Sequence, residues 1–217
     1  GIKHVYIGTR DLNPDVNGLG IKMLKKSGIK VEEGILEKEC KSINEVYNKY
    51  IVSGIPYVTV KVALSLDGKL ATSKGESKWI TNEKCRGYVH ELRSRVDAVM
   101  VGGGTIRADN SKLNVRIRAV QGKNPYAVIV DEKLSLPKSS NMFKRKKGGT
   151  IVLTTVAASK EMKRFIENKG HKVIVCRSDS RGFVFLPHAL DKLGKMGIAS
   201  LLVEGGGKLF ADFFRRN

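Results

Sequence analysis

Long apolar runs, paired cysteines and aromatic clusters are missing from this sequence, and acidic residues are scarce. No stretch reaches the roughly 18 consecutive apolar residues of a membrane-spanning helix. The opening GIKHVYIG is not followed by the apolar segment of a secretory leader. The chain therefore reads as cytoplasmic, with no membrane partner. Cys40, Cys85 and Cys176 are far apart and include no C-x-x-C pair, which supports neither a zinc knuckle nor a disulfide framework and leaves reduced, mostly buried thiols. Aromatic residues make up 6% of the chain, too few for the stacking platforms of a single-strand binder. Against 21 Asp and Glu stand 40 Lys and Arg, a net charge of +19, and such an excess favours an anionic partner. The basic residues are spread along the whole chain, however. The one dense run, Lys144–Lys147, precedes Gly148-Gly149 and reads as a solvated loop. No nucleic acid is expected, and phosphorylated small molecules remain as the anionic class.

What is present suffices for a sizeable core: 217 residues, 41% of them hydrophobic, room for one large domain or two small ones. Strand and helix signals alternate in the last third. Thr150–Thr155 is a β-branched apolar run. Ser159 is placed to cap a helix with Met162, Phe165 and Ile166 on one face and Gly170 at its end, and His171–Cys176 is the next strand. A helix opens near Pro187, Ser200–Glu204 is a further strand, Gly205–Gly207 a turn and Lys208–Arg216 a helix. In the middle, Tyr57–Ala63 alternates as a strand and Asp67-Gly68 turns. Thr81 or Asn82 caps a helix with Cys85, Val89, Leu92 and Val96 in one stripe, and Asp97–Val101 and Pro125–Asp131 are strands. This alternation predicts an α/β fold with substantial parallel pairing. The first 54 residues read as a separate unit with a strand at His4–Gly8, a helix at Gly18–Lys26, a strand from Val31 and a helix near Glu37–Tyr50. Ser53-Gly54-Ile55-Pro56 is the best boundary in the chain. Strand-like sequence follows Gly1 at once, so the chain reads as a fragment.

Two glycine triplets, Gly102–Gly104 and Gly205–Gly207, each follow an apolar strand. Bare backbone can approach a phosphate closely, and a following helix N-terminus supplies free N–H donors; a tight turn would use the same glycines. Neither triplet fits G-x-G-x-x-G, because Arg107 and Phe210 occupy the last glycine's position, and Leu209 after Lys208 rules out a P-loop. An ordinary Rossmann domain is thus unsupported, while a nucleotide cofactor on other loops stays open. A polar set, Lys61, Asp67, Ser77, Arg93, Asp109 and Arg116, is interleaved with glycines. Arginine suits a bidentate grip on phosphate, although each residue taken singly also has a structural role open to it. The histidines, His4, His90, His171 and His188, form no spacing motif and are assigned no chemistry.

Taken in order, Pro56–Gly68 (PYVTVKVALSLDG), Gly75–Thr81 (GESKWIT), His90–Arg93 (HELR), Asp97–Thr105 (DAVMVGGGT), Ala108-Asp109, Leu113–Arg116 (LNVR) and Val203–Gly207 (VEGGG) closely resemble the reductase domain of the bifunctional riboflavin-biosynthesis deaminase/reductase family (RibD type). The resemblance runs from Pro56 to the C-terminus. It implies a dihydrofolate-reductase-like fold: a mixed, largely parallel sheet flanked by helices. It implies NADPH as cofactor and a phosphorylated ribosylaminopyrimidine as substrate, 5-amino-6-(5-phosphoribosylamino)uracil, reduced at C1′ to the ribityl product in a homo-oligomer. By the same resemblance, NADPH contacts Ala63, Trp79, Thr105, Asp109 and the segment Gly206, Gly207, Lys208, Leu209, Phe210, Ala211 and Asp212. Substrate and its phosphate contact Ser77, Arg93, Leu113, Arg116 and Glu204. Lys61 and Glu204 are the candidates for polar assistance at the ribose.

Residues 1–54 look like the C-terminal remnant of the family's zinc deaminase domain, a partial cytidine-deaminase-like α/β unit, and 55–217 are the reductase domain. Asp11–Pro14, Gly18–Gly20 and Leu24–Ile29 are the matching pieces. The family's His-x-Glu and Pro-Cys-x-x-Cys zinc signature is expected upstream, and at least one more strand downstream. Zinc and deamination are therefore assigned to a longer parent, and no metal is expected on His4 and Cys40. One departure stands out: Asp109-Asn110-Ser111 replaces the family's Asp-Asp-Pro, and loss of the proline is expected to loosen the loop that leads to Leu113 and Arg116. A diaminopyrimidine reductase of the archaeal or fungal branch, and a basic nucleic-acid-binding module, are the alternatives.

Overall fold

The structure, a computed structural model, describes residues 1–77, 79–116, 124–145 and 149–215. In the first unit, strands β1 (His4–Ile7) and β2 (Lys30–Glu33) pair in parallel, with α1 (Leu19–Lys26) as the connection. Two helices follow, α2 (Glu37–Ile43) and α3 (Glu45–Ser53), where one had been expected. Asn44 breaks the pattern: its backbone leaves the helical region at φ −105°, ψ 18°, and its side-chain Nδ2 donates to the Cys40 carbonyl. No residue before Pro56 is buried. The unit is tied to the rest by the Tyr50 hydroxyl, which donates to the Gly194 carbonyl at 2.9 Å. A Cβ on Gly194 would lie 1.8 Å from the carbonyl oxygen of Gly54, so only glycine permits this approach.

The remainder alternates strand and helix: β3 (Tyr57–Val60), α4 (Glu83–Ser94), β4 (Ala98–Gly102), α5 (Gly103–Asp109), β5 (Tyr126–Val130), β6 (Thr150–Thr154), α6 (Lys160–Asn168), β7 (Lys172–Val175), α7 (Leu186–Gly194), β8 (Ser200–Gly205) and α8 (Gly207–Phe214). The six strands form one sheet in the order β3-β8-β4-β5-β6-β7, and every pairing recorded between them is parallel. This is the α/β architecture the alternation predicts. Helices cover both faces, which is why β4, β5 and β6 read as unbroken apolar runs rather than alternating ones. On one face Met100, Val128, Ile151, Leu201 and Val203 pack against Leu186, Ala189 and Leu193 of α7 and Leu209 and Phe210 of α8. On the other, Val99, Val101, Ile129, Val152 and Leu202 pack against Ile106 of α5 and Met162 and Ile166 of α6. Each fully buried aliphatic side chain of this kind contributes about 1.5–3 kcal/mol.

The caps fall where the sequence places them. Asn82 accepts from the Cys85 amide at 3.0 Å and Ser159 from the Met162 amide at 3.2 Å. Three readings are corrected. Of the thiols only Cys176 is buried, which pushes it up to about 11; Cys85 is exposed, because the stripe that packs on the sheet is carried by Leu92 and Val96. The strand expected over Tyr57–Ala63 ends at Val60. In the basic run, Lys144 closes a 3-10 turn (Asn141–Lys144) and Arg145 is half-buried, bonded to three carbonyls rather than solvated. Lys146 and Lys147 lie outside the described residues, as does Arg216 of the expected last helix.

Candidate active site

In a parallel sheet the loops leaving the carboxyl ends of the strands splay apart where the strand order changes direction, and a crevice opens there. Here β4 is that point: β5 to β7 follow on one side, while β8 and β3 lie on the other. A cleft of about 470 Å³ sits at the ends of β3, β8 and β4, lined by 21 residues from 61 to 210. Twelve residues named from the sequence line it: Lys61, Ala63, Ser77, Trp79, Arg93, Thr105, Asp109, Arg116, Glu204, Gly206, Gly207 and Phe210.

The remaining sequence-predicted residues lie elsewhere. Leu113 is buried in the helix-side core with φ +46°. Leu209 is buried against the opposite face of the sheet, and Phe210, which packs there too, also reaches the cleft. Lys208 and Ala211 do not line the cleft; Asp212 is ion-paired with Arg181 at 3.0 Å. Of this segment, Gly206, Gly207 and Phe210 line the cleft. In the first unit His4 pairs with Glu32 at 3.0 Å, and Cys40 packs so tightly on Gly8 that a Cβ there would lie 2.2 Å from its sulfur. Among the described residues no three His, Cys, Asp or Glu side chains gather as a metal site.

The centre of the cleft is an ion pair. Both Glu204 oxygens accept from Arg93, Oε1 from Nε and Oε2 from Nη2, each at 2.5 Å, while Nη1 donates to the Asn114 carbonyl at 3.2 Å. Their side chains are 12% and 7% exposed, so this is a shielded, bidentate pair rather than a surface bridge. Arg93 is thus committed to Glu204 and a carbonyl, not presented as a free cation. Lys61 lies beside Glu204: Val60 is in register with Val203, and the Lys61 amide continues the ladder to the Val203 carbonyl at 2.9 Å. Lys61 and Arg116 have no ion-pair partner among the described residues. The lining is cationic overall, with Lys61, Arg86, Arg93 and Arg116 against Asp109 and Glu204.

Two further groups complete this wall. Arg86 lies over the Trp79 ring, 4.4 Å from its centroid, and donates to the Thr81 carbonyl at 2.7 Å. His90 lines the cleft although no spacing motif marks it, and its Nδ1 is buried without a hydrogen-bond partner among the described residues. Burial first, then the Arg93 and Arg116 guanidiniums, hold its imidazole below the usual histidine range, against a smaller opposing pull from Glu204. The available signal was periodicity. Arg86, Val89, His90 and Arg93 sit at i, i+3, i+4 and i+7 and form one face of α4.

The opposite wall is backbone. Gly206, with φ +93°, leads into the N-terminus of α8, and a Cβ on Gly205 would press on Thr105 at 3.2 Å. Gly207 is different: its φ is not positive, and a Cβ would meet Leu70 of the lining at an ordinary 3.4 Å. A glycine strand end opening onto an eight-residue helix fits a phosphate-bearing cofactor, because the glycines present no side chain of their own and a helix N-terminus offers N–H donors. The loop after α5 is tied at its start. Asn110 takes the left-handed region at φ +45° and is bonded twice to Asn141.

A family model described as the RibD C-terminal domain matches residues 56–217. The riboflavin biosynthesis protein RibD of Actinobacillus pleuropneumoniae is 40% identical over 209 residues, 96% of this chain and 55% of its own length. That of Bacillus amyloliquefaciens is 37% identical over 215 residues, 99% of this chain and 57% of its own. The chain thus spans little more than half the length of these relatives. Among solved structures, a diaminohydroxyphosphoribosylaminopyrimidine deaminase/5-amino-6-(5-phosphoribosylamino)uracil reductase from Thermotoga maritima superposes with TM-score 0.83 at 38% identity, covering 100% of this chain and 57% of its own.

Proposed function

This chain belongs to the RibD C-terminal domain family, and on that premise we propose that its cleft reduces the ribose of 5-amino-6-(5-phosphoribosylamino)uracil at C1′ with NADPH. The observation that carries the reading is the convergence of a bidentate Arg93–Glu204 pair, Lys61, Arg116 and a glycine strand end around one 470 Å³ cleft. Residues 1–54 are read as the end of a zinc deaminase domain and 55–217 as the reductase domain. The longer parent would deaminate the precursor with zinc; the Thermotoga protein's name pairs a deaminase with the reductase. The working protein is read as a cytoplasmic homo-oligomer. No helix among the described residues is long and apolar enough to cross a membrane. The relatives align through the first 54 residues as well, which favours this family over a free-standing diaminopyrimidine reductase.

NADPH, when bound, supplies the hydride that C1′ receives. Gly206, Gly207 and the α8 N-terminus would hold its phosphates, with Trp79, Thr105 and Asp109 beside it. The chain's own work is orientation and charge. Arg93 fixes both Glu204 oxygens and neutralises them, so an anionic substrate meets no net repulsion there. The free lone pairs of Glu204 then remain to accept from a ribose hydroxyl. Lys61, one position along the neighbouring strand, donates to the ribose oxygen that gains charge as the ring opens. Arg116, without a carboxylate partner among the described residues, takes the phosphate. Ser77 adds a hydroxyl at the cleft wall. The test is loss of NADPH absorbance in the full-length enzyme when the deaminated substrate is added. Substrate-dependent oxidation is expected; its absence would overturn the assignment.

A further inference from the structure

Arg116 reaches the cleft at the end of a segment with two residues in the left-handed region, Asn110 at φ +45° and Leu113 at φ +46°. Such a path for non-glycine residues persists only where surrounding contacts over-determine it. The contacts are present. Asn110 caps the C-terminus of α5; its Oδ1 accepts from the Asn141 amide at 2.8 Å, and its carbonyl accepts from the Asn141 side-chain Nδ2 at 2.9 Å. The Arg145 guanidinium donates from Nη1 to the Lys112 carbonyl, from Nη2 to the Pro125 carbonyl at 2.6 Å and from Nε to the Gly149 carbonyl at 3.2 Å. Arg145 therefore joins the two backbone stretches that flank Arg116 and ties both to the start of β6. Leu113 is sunk in the core, and the Val115 amide donates to Asn124 Oδ1 at 3.0 Å.

An arginine half-withdrawn from water, bonded only to carbonyls among the described residues, is expensive to place. Its proton affinity is lowered by burial first and by nearby Arg93 second. A lysine could supply the charge, but not three donors in a rigid plane. What the fork provides is geometry. We propose that Asn110, Asn141 and Arg145 form a brace that positions Arg116 in the cleft, so that three residues touching no substrate set the strength of the phosphate grip. The brace rests on the reductase reading for the identity of the anion.

The test uses the full-length enzyme and the variants Asn141→Ala and Arg145→Lys, each alone and combined with Arg116→Ala. Each single variant should raise KM for the deaminated substrate about tenfold, the scale of one lost charge-assisted contact. The kcat should stay within about threefold, and NADPH affinity, followed by calorimetric titration, should not change. In the Arg116→Ala background the brace variants should add nothing further, because they act through Arg116. Additive effects, or a parallel fall in kcat and NADPH affinity, would overturn the brace in favour of a general stabilising role. If Arg145→Lys does not fold, Asn141→Ala carries the same comparison. If the wild-type enzyme turns over no substrate, the reductase reading falls instead. The brace is then judged by calorimetric titration of ribose 5-phosphate: binding weakened about tenfold in Asn141→Ala supports it, and equal binding overturns it.

Discussion

The two walls of the cleft are built on opposite principles. Past Glu204 on the β8–α8 side the lining is glycine backbone, Gly205, Gly206 and Gly207, joined by Phe210. On the α4 side it is nearly all side chain: Arg86, His90, Arg93 and Arg116 reach in from a helix face and a braced loop. A backbone wall recognises a ligand by letting it come close and is damaged by adding atoms. A side-chain wall recognises by reaching out and is damaged by removing them. The wall with side chains also needs support, and the structure supplies it: Arg93 is locked by Glu204, and the path to Arg116 is tied by Asn141 and Arg145.

The largest expected effect lies at the lock. Arg93→Ala leaves the Glu204 carboxylate shielded without its partner, a change that costs about 3–5 kcal/mol when such a pair is broken from one side. Urea unfolding of the full-length protein should show that loss, and the double variant with Glu204→Gln should recover part of it. Equal stability of Arg93→Ala and wild type would mean the pair is solvated.

A smaller effect is expected where no lock exists. Arg116→Ala should leave the unfolding midpoint unchanged while raising substrate KM by the equivalent of about 1.5–3 kcal/mol, the range for a hydrogen bond to a charged group. A shift in stability with an unchanged KM would return Arg116 to the solvated surface. On the other wall, Gly207→Val adds atoms without forcing a positive φ, so NADPH affinity should fall by roughly tenfold in a folded protein. Gly206 is the poorer target, because its φ of +93° would strain any replacement.

The smallest effect concerns protons. His90 binds its proton less readily in the folded protein than in the unfolded chain, through burial and through Arg93 and Arg116, with Glu204 opposing. The unfolded chain therefore takes up the proton first as pH falls. Stability should be complete above the ordinary histidine range and decline as pH drops through it towards the lower folded value. His90→Gln should flatten this limb of the stability–pH curve; an unchanged limb would assign the decline to another group.

Much of this was legible in the residues. The alternation of apolar runs with capped helices, Ser159 through Ile166 above all, follows from local chemistry and predicted the sheet. Ordered motifs marked Lys61, Arg93, Arg116 and Glu204 in advance, and the fold brings them together. What escaped depends on contacts distant in sequence. Nothing local says that Arg93 is held by a carboxylate 111 positions away, or that Arg145 leaves a basic run to bind carbonyls 20 and 33 positions upstream. Nor does anything local say that Asn110, at the start of the loop to Arg116, is bonded to Asn141, 31 positions on. His90 belongs to no spacing motif; its signal is the helix face it shares with Arg86, Val89 and Arg93.

One measurement tests the division of the cleft most directly: NADPH affinity and substrate affinity, both by calorimetry, each on Gly207→Val and Arg116→Ala of the full-length enzyme. Two walls with separate tasks predict a crossed result, cofactor binding lost only in the first variant and substrate binding lost only in the second. If both variants weaken both ligands alike, the cleft has no such division and the account is contradicted.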